Sequence, residues 1–168
     1  MTAAKVLAAG TWQADLARST ASLRVGTLGR TATGTVPITE GTVEIGTDGQ
    51  LLAVRGTLNL AGIDTGIPKR DLDLRKPRLL DLDAHPTMTF TSTAIEASDD
   101  GWRVTGTLSA RGISTPLTGT AQVSFVDGSA AELTATARLD RRTLGIRAPG
   151  IMIGKFVDIT VSATVQRR

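Results

Sequence analysis

Alternation of apolar and polar residues along most of the chain is the feature that most limits its fold. Val54, Gly56 and Leu58 share one face of one such segment. Arg55 and Thr57 share the opposite face. A period of two residues indicates a half-buried β-strand. Such segments recur at short intervals, separated by turns containing Gly and Asp. The pattern therefore predicts an all-β antiparallel sheet, and closure into a barrel would remove its unpaired edges.

One segment, at about residues 68–83, interrupts the strands with a helical pattern. Pro68 suits the first helical position, where the missing N–H costs nothing. The apolar side expected of this helix is formed by Leu72, Leu79, Leu80 and Leu82. Pro77 is expected to break or kink the helix. We therefore expect one principal helix, packed at an opening or flank of the barrel.

Strand parity predicts which apolar side chains point into the barrel, because neighbouring residues of a strand face opposite sides. The same alternation places Ala94 on the inner face. The inward apolar residues predicted to form a ligand-binding site are Leu23, Val25, Val54, Leu58, Met88, Phe90, Trp102, Val104, Leu108, Val123, Phe125, Ile159 and Val161.

Many small residues share this inner face, namely Ala21, Gly56, Ser92, Gly106, Gly119, Ala121, Ala135 and Ala137. A small barrel normally fills its interior with side chains. Small side chains leave either a lumen with room for a ligand or space that the helix and the tryptophans occupy. An apolar lumen suits a long hydrocarbon chain, because burial contributes about 0.8 kcal/mol per CH₂ group.

Several motifs resemble a known family. They are Arg70-Asp71-x-Asp73-Leu74-Arg75, the run from Pro86 to Thr93, Trp12-x-x-Asp15 with Ser19, the run from Gly106 to Pro116, and Leu139-Asp140-Arg141. Together they resemble the YceI-like family, whose members are lipocalin-like antiparallel β-barrels that bind polyisoprenoid lipids. The resemblance extends from about Trp12 to Val165. One departure is Asp73, which stands where the family usually has His.

The resemblance implies a protein that binds or carries a long apolar isoprenoid-type or quinone-like lipid in its lumen without transforming it. The alternative is a barrel packed shut, which would serve as a scaffold or interaction domain. Within the motifs, Arg70-Asp71 and Asp140-Arg141 are interpreted as structural ion pairs in preference to contacts for a lipid head group. Arginine suits either role, since its guanidinium binds carboxylate or phosphate oxygens.

The sequence favours binding over catalysis. His85 is the single histidine and precedes Pro86, where a turn residue is the better interpretation. No Gly-x-Ser-x-Gly motif is present, and one histidine makes a transition-metal site improbable. We therefore predict no catalytic residue, no metal and no cofactor.

Composition limits the remaining classes. The 168 residues suit a single domain, with residues 1–10 as a short N-terminal extension. A net charge of +3 and 3% aromatic residues argue against nucleic-acid binding, which needs a basic face with stacking aromatics. No apolar run reaches the roughly 20 residues of a membrane span, and no signal peptide is evident. We expect a cytoplasmic protein, although many members of the family are exported, and a homodimer is possible.

Overall fold

The computed structural model of the chain describes residues 7–27, 30–76, 79–127, 130–146 and 154–168. Within these ranges the elements in chain order are β1 (Gly10–Ala14), β2 (Thr20–Thr27), β3 (Arg30–Val36), β4 (Ile38–Ile45), β5 (Leu51–Asn59), α1 (Pro68–Leu74), β6 (Thr87–Ser98), β7 (Gly101–Ala110), β8 (Ile113–Asp127), β9 (Ala130–Asp140) and β10 (Phe156–Arg167). Short 3₁₀ helices lie at Leu16–Arg18, Leu60–Gly62 and Arg141–Leu144.

The strands form one closed antiparallel barrel with eight positions around its wall. β1 and β2 lie end to end along one edge of β10, because β1 pairs with residues 165–167 and β2 with residues 157–162. β3 and β4 likewise form two parts of one strand, separated by Pro37. Every other strand pairs with the next along the chain, and the pairing of β1 with β10 closes the ring. The predicted all-β, lipocalin-like barrel is confirmed.

A short bend separates β1 from β2. The buried Ser19 hydroxyl donates to the Asp15 carbonyl oxygen at 2.7 Å and accepts from the Thr164 amide at 3.1 Å. The Asp15 amide donates to the Thr164 carbonyl at 2.7 Å. The motif Trp12-x-x-Asp15 with Ser19 therefore bends the first strand while keeping it bonded to β10.

A β-bulge changes the inward parity of β6. Its register against β7 shifts between Ser92 and Ala94, which leaves one extra residue on β6. Met88 and Phe90 face the interior before the bulge, and Ile95 packs against the core after it. Ala94 is exposed. The expected inward orientation of Ala94 is therefore wrong, because one inserted residue moves every later side chain to the other face.

The helix is shorter than the expected range of residues 68–83. α1 starts at Pro68 and ends at Leu74, and the expected break at Pro77 lies outside the described residues. Residues 79–85 follow as turns, in which the His85 amide donates to the Asp81 carbonyl at 2.9 Å. Asp81 has a φ of 51°, which is incompatible with a continuing right-handed helix.

The leucines of the expected helix do not share one environment. Leu72 lies on α1 and is 67% exposed, and α1 buries none of its own residues. Leu80 and Leu82, in the turns after α1, are buried. The cover over the barrel is therefore built mainly by the turns after the helix.

Two apolar clusters close the barrel, one at each end. The Trp12 end is the cluster that includes Leu7, Trp12, Val43, Ile45, Leu51 and Val123. The helix end is the cluster that includes Val36, Leu60, Leu80, Leu82 and Leu144. Phe90 packs against both clusters. Leu7 is 2% exposed, so the segment interpreted as an N-terminal extension contributes to the core from this residue onward.

Candidate functional site

A cavity of about 200 Å³ lies in the barrel, lined by residues of both end clusters. Its wall is almost entirely apolar. Two charged residues reach its edge, Glu40 and Arg55, and they form an ion pair at 3.2 Å. Their side chains are 47% and 63% exposed, respectively, so the pair sits largely in solvent. The cavity therefore offers hydrocarbon contacts and little polar recognition.

Most of the predicted site residues meet at this cavity. The nine that line it are Val54, Leu58, Met88, Phe90, Trp102, Val104, Leu108, Ile159 and Val161. Leu23 packs against the helix end, and Val123 is buried in the Trp12 end. Val25 is half-buried and lies near Gly154. The side chain of Phe125 lies outside the described part of the chain. Contact of these residues with a ligand stays a prediction.

The predicted site leaves out the small residues that give the cavity its volume. Those on its wall are Ala14, Gly41, Gly56, Gly119, Ala121, Ala135, Ala137 and Ala163. We call this set the small-residue belt. Strand parity identified five of them as inward-facing, but the predicted site kept only the larger apolar residues. Small residues at inward positions of successive strands are the signal that could have found the belt.

Two glycines show why inward position alone does not define the cavity. A Cβ atom added at Gly56 would have the Glu40 carbonyl oxygen, at 3.5 Å, as its one neighbour within 4 Å. A Cβ atom at Gly106 would overlap the Thr91 carbonyl oxygen and the Phe90 ring. Gly56 therefore borders open space, whereas Gly106 accommodates Phe90 and does not line the cavity.

Arg70 and Asp71 act on the backbone near α1, away from the cavity wall. The Arg70 guanidinium donates to the Thr65 carbonyl at 3.1 Å. The Asp71 carboxylate accepts from both the amide and the hydroxyl of Thr65. Each residue bonds to Thr65, and the predicted ion pair between the two is not found in the described contacts.

Asp140 and Arg141 also hold the structure without pairing with each other in the contacts described. The buried Arg141 donates to the Gly154 carbonyl at 2.9 Å and to the Ile146 carbonyl at 2.8 Å. Asp140 accepts two hydrogen bonds from the Arg142 guanidinium, at 2.9 and 2.7 Å. The side-chain bond from Arg142 lowers the pKa of Asp140 from 3.8 to about 2. These contacts fasten the helix end.

The two other singled-out residues lie on the surface of the helix end. Asp73, in the position usually held by His, forms an ion pair with Lys76 at 3.1 Å. His85 lies in a turn, with its Nε2 atom 3.9 Å from an Asp81 carboxylate oxygen. Neither residue lines the cavity. Within the described ranges, no three potential metal-ligating side chains come together.

A search of the described helices finds none with the length and apolar character of a membrane span.

Comparison with known families gives one match over most of the chain. The YceI-like domain matches residues 12–165. A UPF0312 protein of Pectobacterium atrosepticum is 36% identical over 64 residues, which are 38% of this chain and 33% of the relative. The aligned segment thus spans about a third of the length of that curated relative.

Solved structures share the fold at low sequence identity. The crystal structure of Burkholderia cenocepacia BcnA has a TM-score of 0.78 at 19% identity, over 90% of this chain and 98% of that protein. A polyisoprenoid binding domain from Saccharophagus degradans, implicated in plant cell wall breakdown, has a TM-score of 0.72 at 15% identity. That alignment covers 94% of this chain and 98% of the domain. At such identities the likeness shows the fold alone.

Proposed function

The chain belongs to the YceI-like family, and we propose that it binds the apolar chain of an isoprenoid-type or quinone-like lipid in its barrel without transforming it. The observation that carries the proposal is the apolar cavity bordered by the small-residue belt. The family is a family of binding proteins, and one structural neighbour is a polyisoprenoid binding domain.

The cavity favours binding over a barrel packed shut. Packed protein interiors contain few voids larger than a water molecule. A cavity of about 200 Å³ is several times that size, since one water occupies about 30 Å³ in the liquid. The wall can also stay dry when empty, because apolar cavities do not bind water well. The scaffold alternative predicts that such a space would be filled by side chains.

The size and chemistry of the cavity limit how the lipid binds. Typical small-molecule sites measure about 300–1,000 Å³, so this cavity accommodates part of a long chain in its present shape. Phe90 packs against both end clusters and lines the cavity, so the position of its ring affects the space available to the chain. The nearly apolar wall supports binding of hydrocarbon inside the barrel with the polar head group outside. Each CH₂ group of the lipid buried in the cavity should contribute about 0.8 kcal/mol to the binding free energy.

Filling the cavity tests the proposal. Ala121 lines the cavity and is 8% exposed, so Ala121→Phe should occupy the space that a chain would take. Gly56→Leu should do the same from another strand, with little steric conflict at its Cβ atom. Binding of an octaprenol probe, measured by native mass spectrometry and by fluorescence competition, should weaken at least tenfold in both variants.

The matched control is Thr107→Phe, because Thr107 is exposed on the outer face of β7. Circular dichroism and urea unfolding would establish that each variant folds, at an overpacking cost of about 1–3 kcal/mol or less. Wild-type affinity in both folded inner variants would show that the cavity is not the binding site, and the scaffold alternative would then be preferred.

A further inference from the structure

The ladder between β5 and β6 stops halfway along β5. All residues of both strands are described, and they pair from Arg55 with Thr91 to Asn59 with Thr87. The register contains no partner on β6 for residues 51–54, although β6 continues to Ser98 in register with β7. We call the gap between residues 51–54 of β5 and residues 92–95 of β6 the seam.

Two side-chain hydrogen bonds connect the sides of the seam. The Val54 amide donates to the Ser92 hydroxyl oxygen at 2.9 Å. The Trp102 indole N–H donates to the side-chain oxygen of Gln50 at 3.1 Å. Trp102 belongs to β7 and Gln50 immediately precedes β5, so the indole must extend past β6 to reach its partner. Side chains therefore hold the wall together here in place of a backbone ladder.

Apolar side chains lie on both faces of the wall at the seam. Leu51, Val54 and Trp102 line the cavity. Leu52 is on the outer face and is 61% exposed. A hydrocarbon chain passing through the seam would therefore meet apolar surface outside, within and behind it.

The two ends of the barrel offer less favourable routes. Trp12, at one end, is 1% exposed, and Leu60 and Leu144, at the other, are 0% exposed. Opening either end would expose side chains that are fully buried. Opening the seam breaks two side-chain hydrogen bonds and exposes Leu51, which is 6% exposed, but leaves every backbone ladder intact. Since the separated polar groups can bond to water instead, this costs less than exposing the larger set of fully buried side chains at either end.

We propose that the seam is the route by which the lipid chain enters and leaves the cavity, with Trp102 as the gate and Gln50 as the residue that holds it closed. The inference rests on the proposed function, since it concerns the same cavity. A gate changes the rates of uptake and release together. The equilibrium affinity is unchanged, because it depends only on the free and bound states.

A disulfide across the seam gives the sharpest test. The chain contains no cysteine, so within one molecule two introduced cysteines can pair only with each other. The 2.9 Å bond from the Val54 amide to the Ser92 hydroxyl limits the distance between their Cα atoms to at most about 6.8 Å, the upper end of the disulfide range. In the oxidised variant Val54→Cys/Ser92→Cys, transfer of a fluorescent octaprenol probe to and from phosphatidylcholine vesicles should slow at least tenfold. Reduction with dithiothreitol should restore fast exchange, and the two redox states are compared within this variant because Val54 itself lines the cavity.

The matched control joins strands that already pair. Thr105 on β7 and Thr118 on β8 have hydroxyl oxygens 3.1 Å apart on exposed side chains. The oxidised variant Thr105→Cys/Thr118→Cys should exchange the probe at the wild-type rate. A change as large as that of the seam disulfide would mean that any added rigidity slows exchange, and would overturn the proposed route.

Gln50→Ala tests the gate without a cross-link. Gln50 is exposed and lies outside the cavity wall, so its loss should free the indole while leaving the site intact. Uptake and release should both accelerate several-fold at constant affinity. Unchanged rates in this variant and in the oxidised seam variant, with the probe bound normally, would overturn the route alone. Failure of the wild-type protein to bind the probe would overturn the proposed function and the route with it.

Discussion

At the Trp12 end, the described part of the chain adds one segment, which carries Leu7 and Trp12, to apolar residues of the barrel wall, whereas at the helix end leucines from three separate segments cover the wall. Leu7 and Trp12 belong to the N-terminal segment. Leu60 comes from the 3₁₀ helix after β5, Leu82 from the turns after α1, and Leu144 from the 3₁₀ helix after β9. The two ends are equally well buried, but they differ in how many independent parts of the chain take part.

The hydrogen bonds show the same difference, because at the helix end they join separate segments and at the Trp12 end Trp12 bonds within its own segment. Trp12 donates through its indole N–H to the Ala8 carbonyl at 2.9 Å, within its own segment. At the helix end, the Arg111 guanidinium reaches from the turn after β7 to the Leu144 carbonyl at 2.6 Å. The Arg75 guanidinium bonds to the Asp83 carboxylate at 2.7 Å. The helix end is thus cross-connected, and the loss of one of its parts should leave the others in place.

The largest effect should follow removal of the Trp12 side chain. Trp12→Ala is expected to lower the free energy of unfolding by about 3–5 kcal/mol, because a fully buried indole leaves a large cavity. It should also admit solvent to the interior, because Trp12 and Leu7 of the same segment are the largest fully buried side chains of this end in the described part of the chain. Urea unfolding would measure the first effect, and acrylamide quenching of Trp102, then the sole tryptophan, would measure the second.

Trp12→Phe is the matched control, because it keeps Trp102 as the sole tryptophan and retains an aromatic plug. Acrylamide should quench Trp102 fluorescence clearly less in Trp12→Phe than in Trp12→Ala. Equal quenching in the two variants would show that Trp12 does not close this end, and the contrast between the ends would be lost.

A smaller effect is expected from Leu82→Ala at the helix end. Leu82 is 1% exposed, so the change should lower the free energy of unfolding by about 2–5 kcal/mol without opening the barrel. Leu72→Ala, on the exposed face of α1, should stay within about 0.5 kcal/mol of wild type. Similar losses for both leucines in urea unfolding would mean that the Leu72 face of α1 also packs on the barrel, as Leu74 does.

The leucines after Pro68 also show what the sequence could and could not predict. Alternation identified the strands and the closed barrel, because a half-buried strand needs an apolar residue at every second position. The leucine spacing after Pro68 fits a helix, but turns that bury Leu80 and Leu82 satisfy the same spacing. A bulge such as that at β6 requires no particular residue, so parity alone could not place Ile95 inside.

For the candidate site, the sequence could predict which residues face the cavity better than how far along the barrel the cavity extends. Strand parity depends only on the local sequence, so it could identify the nine inward residues that line the cavity. Leu23 and Val123 have the same parity but do not line the cavity, since their height along the barrel depends on strand stagger. The seam depends on where one ladder stops, which no local pattern encodes. The cytoplasmic location and the homodimer stay predictions.

The smallest effect concerns a charge at the helix end. Asp140 caps the 3₁₀ helix Arg141–Leu144, accepting from the Arg142 amide at 3.0 Å and from its guanidinium. The guanidinium bond lowers the pKa of Asp140 from 3.8 to about 2 in the folded protein. A lowered folded pKa means that the ionised carboxylate stabilises the fold above pH 3.8. This contribution is lost as the pH falls towards 2.

Asp140→Asn separates this charge from the cap, because asparagine caps helices about as well as aspartate. The variant should be slightly less stable than wild type at pH 6 in urea unfolding, and the difference should shrink between pH 4 and pH 2. Asp15 provides the comparison outside the helix end, since the Arg18 side chain lowers its pKa through a similar bond at 2.9 Å. Asp15→Asn should show the same trend. A stability difference for Asp140→Asn that stays constant down to pH 2 would mean that the charge contributes nothing measurable and that asparagine caps this 3₁₀ helix less well than aspartate.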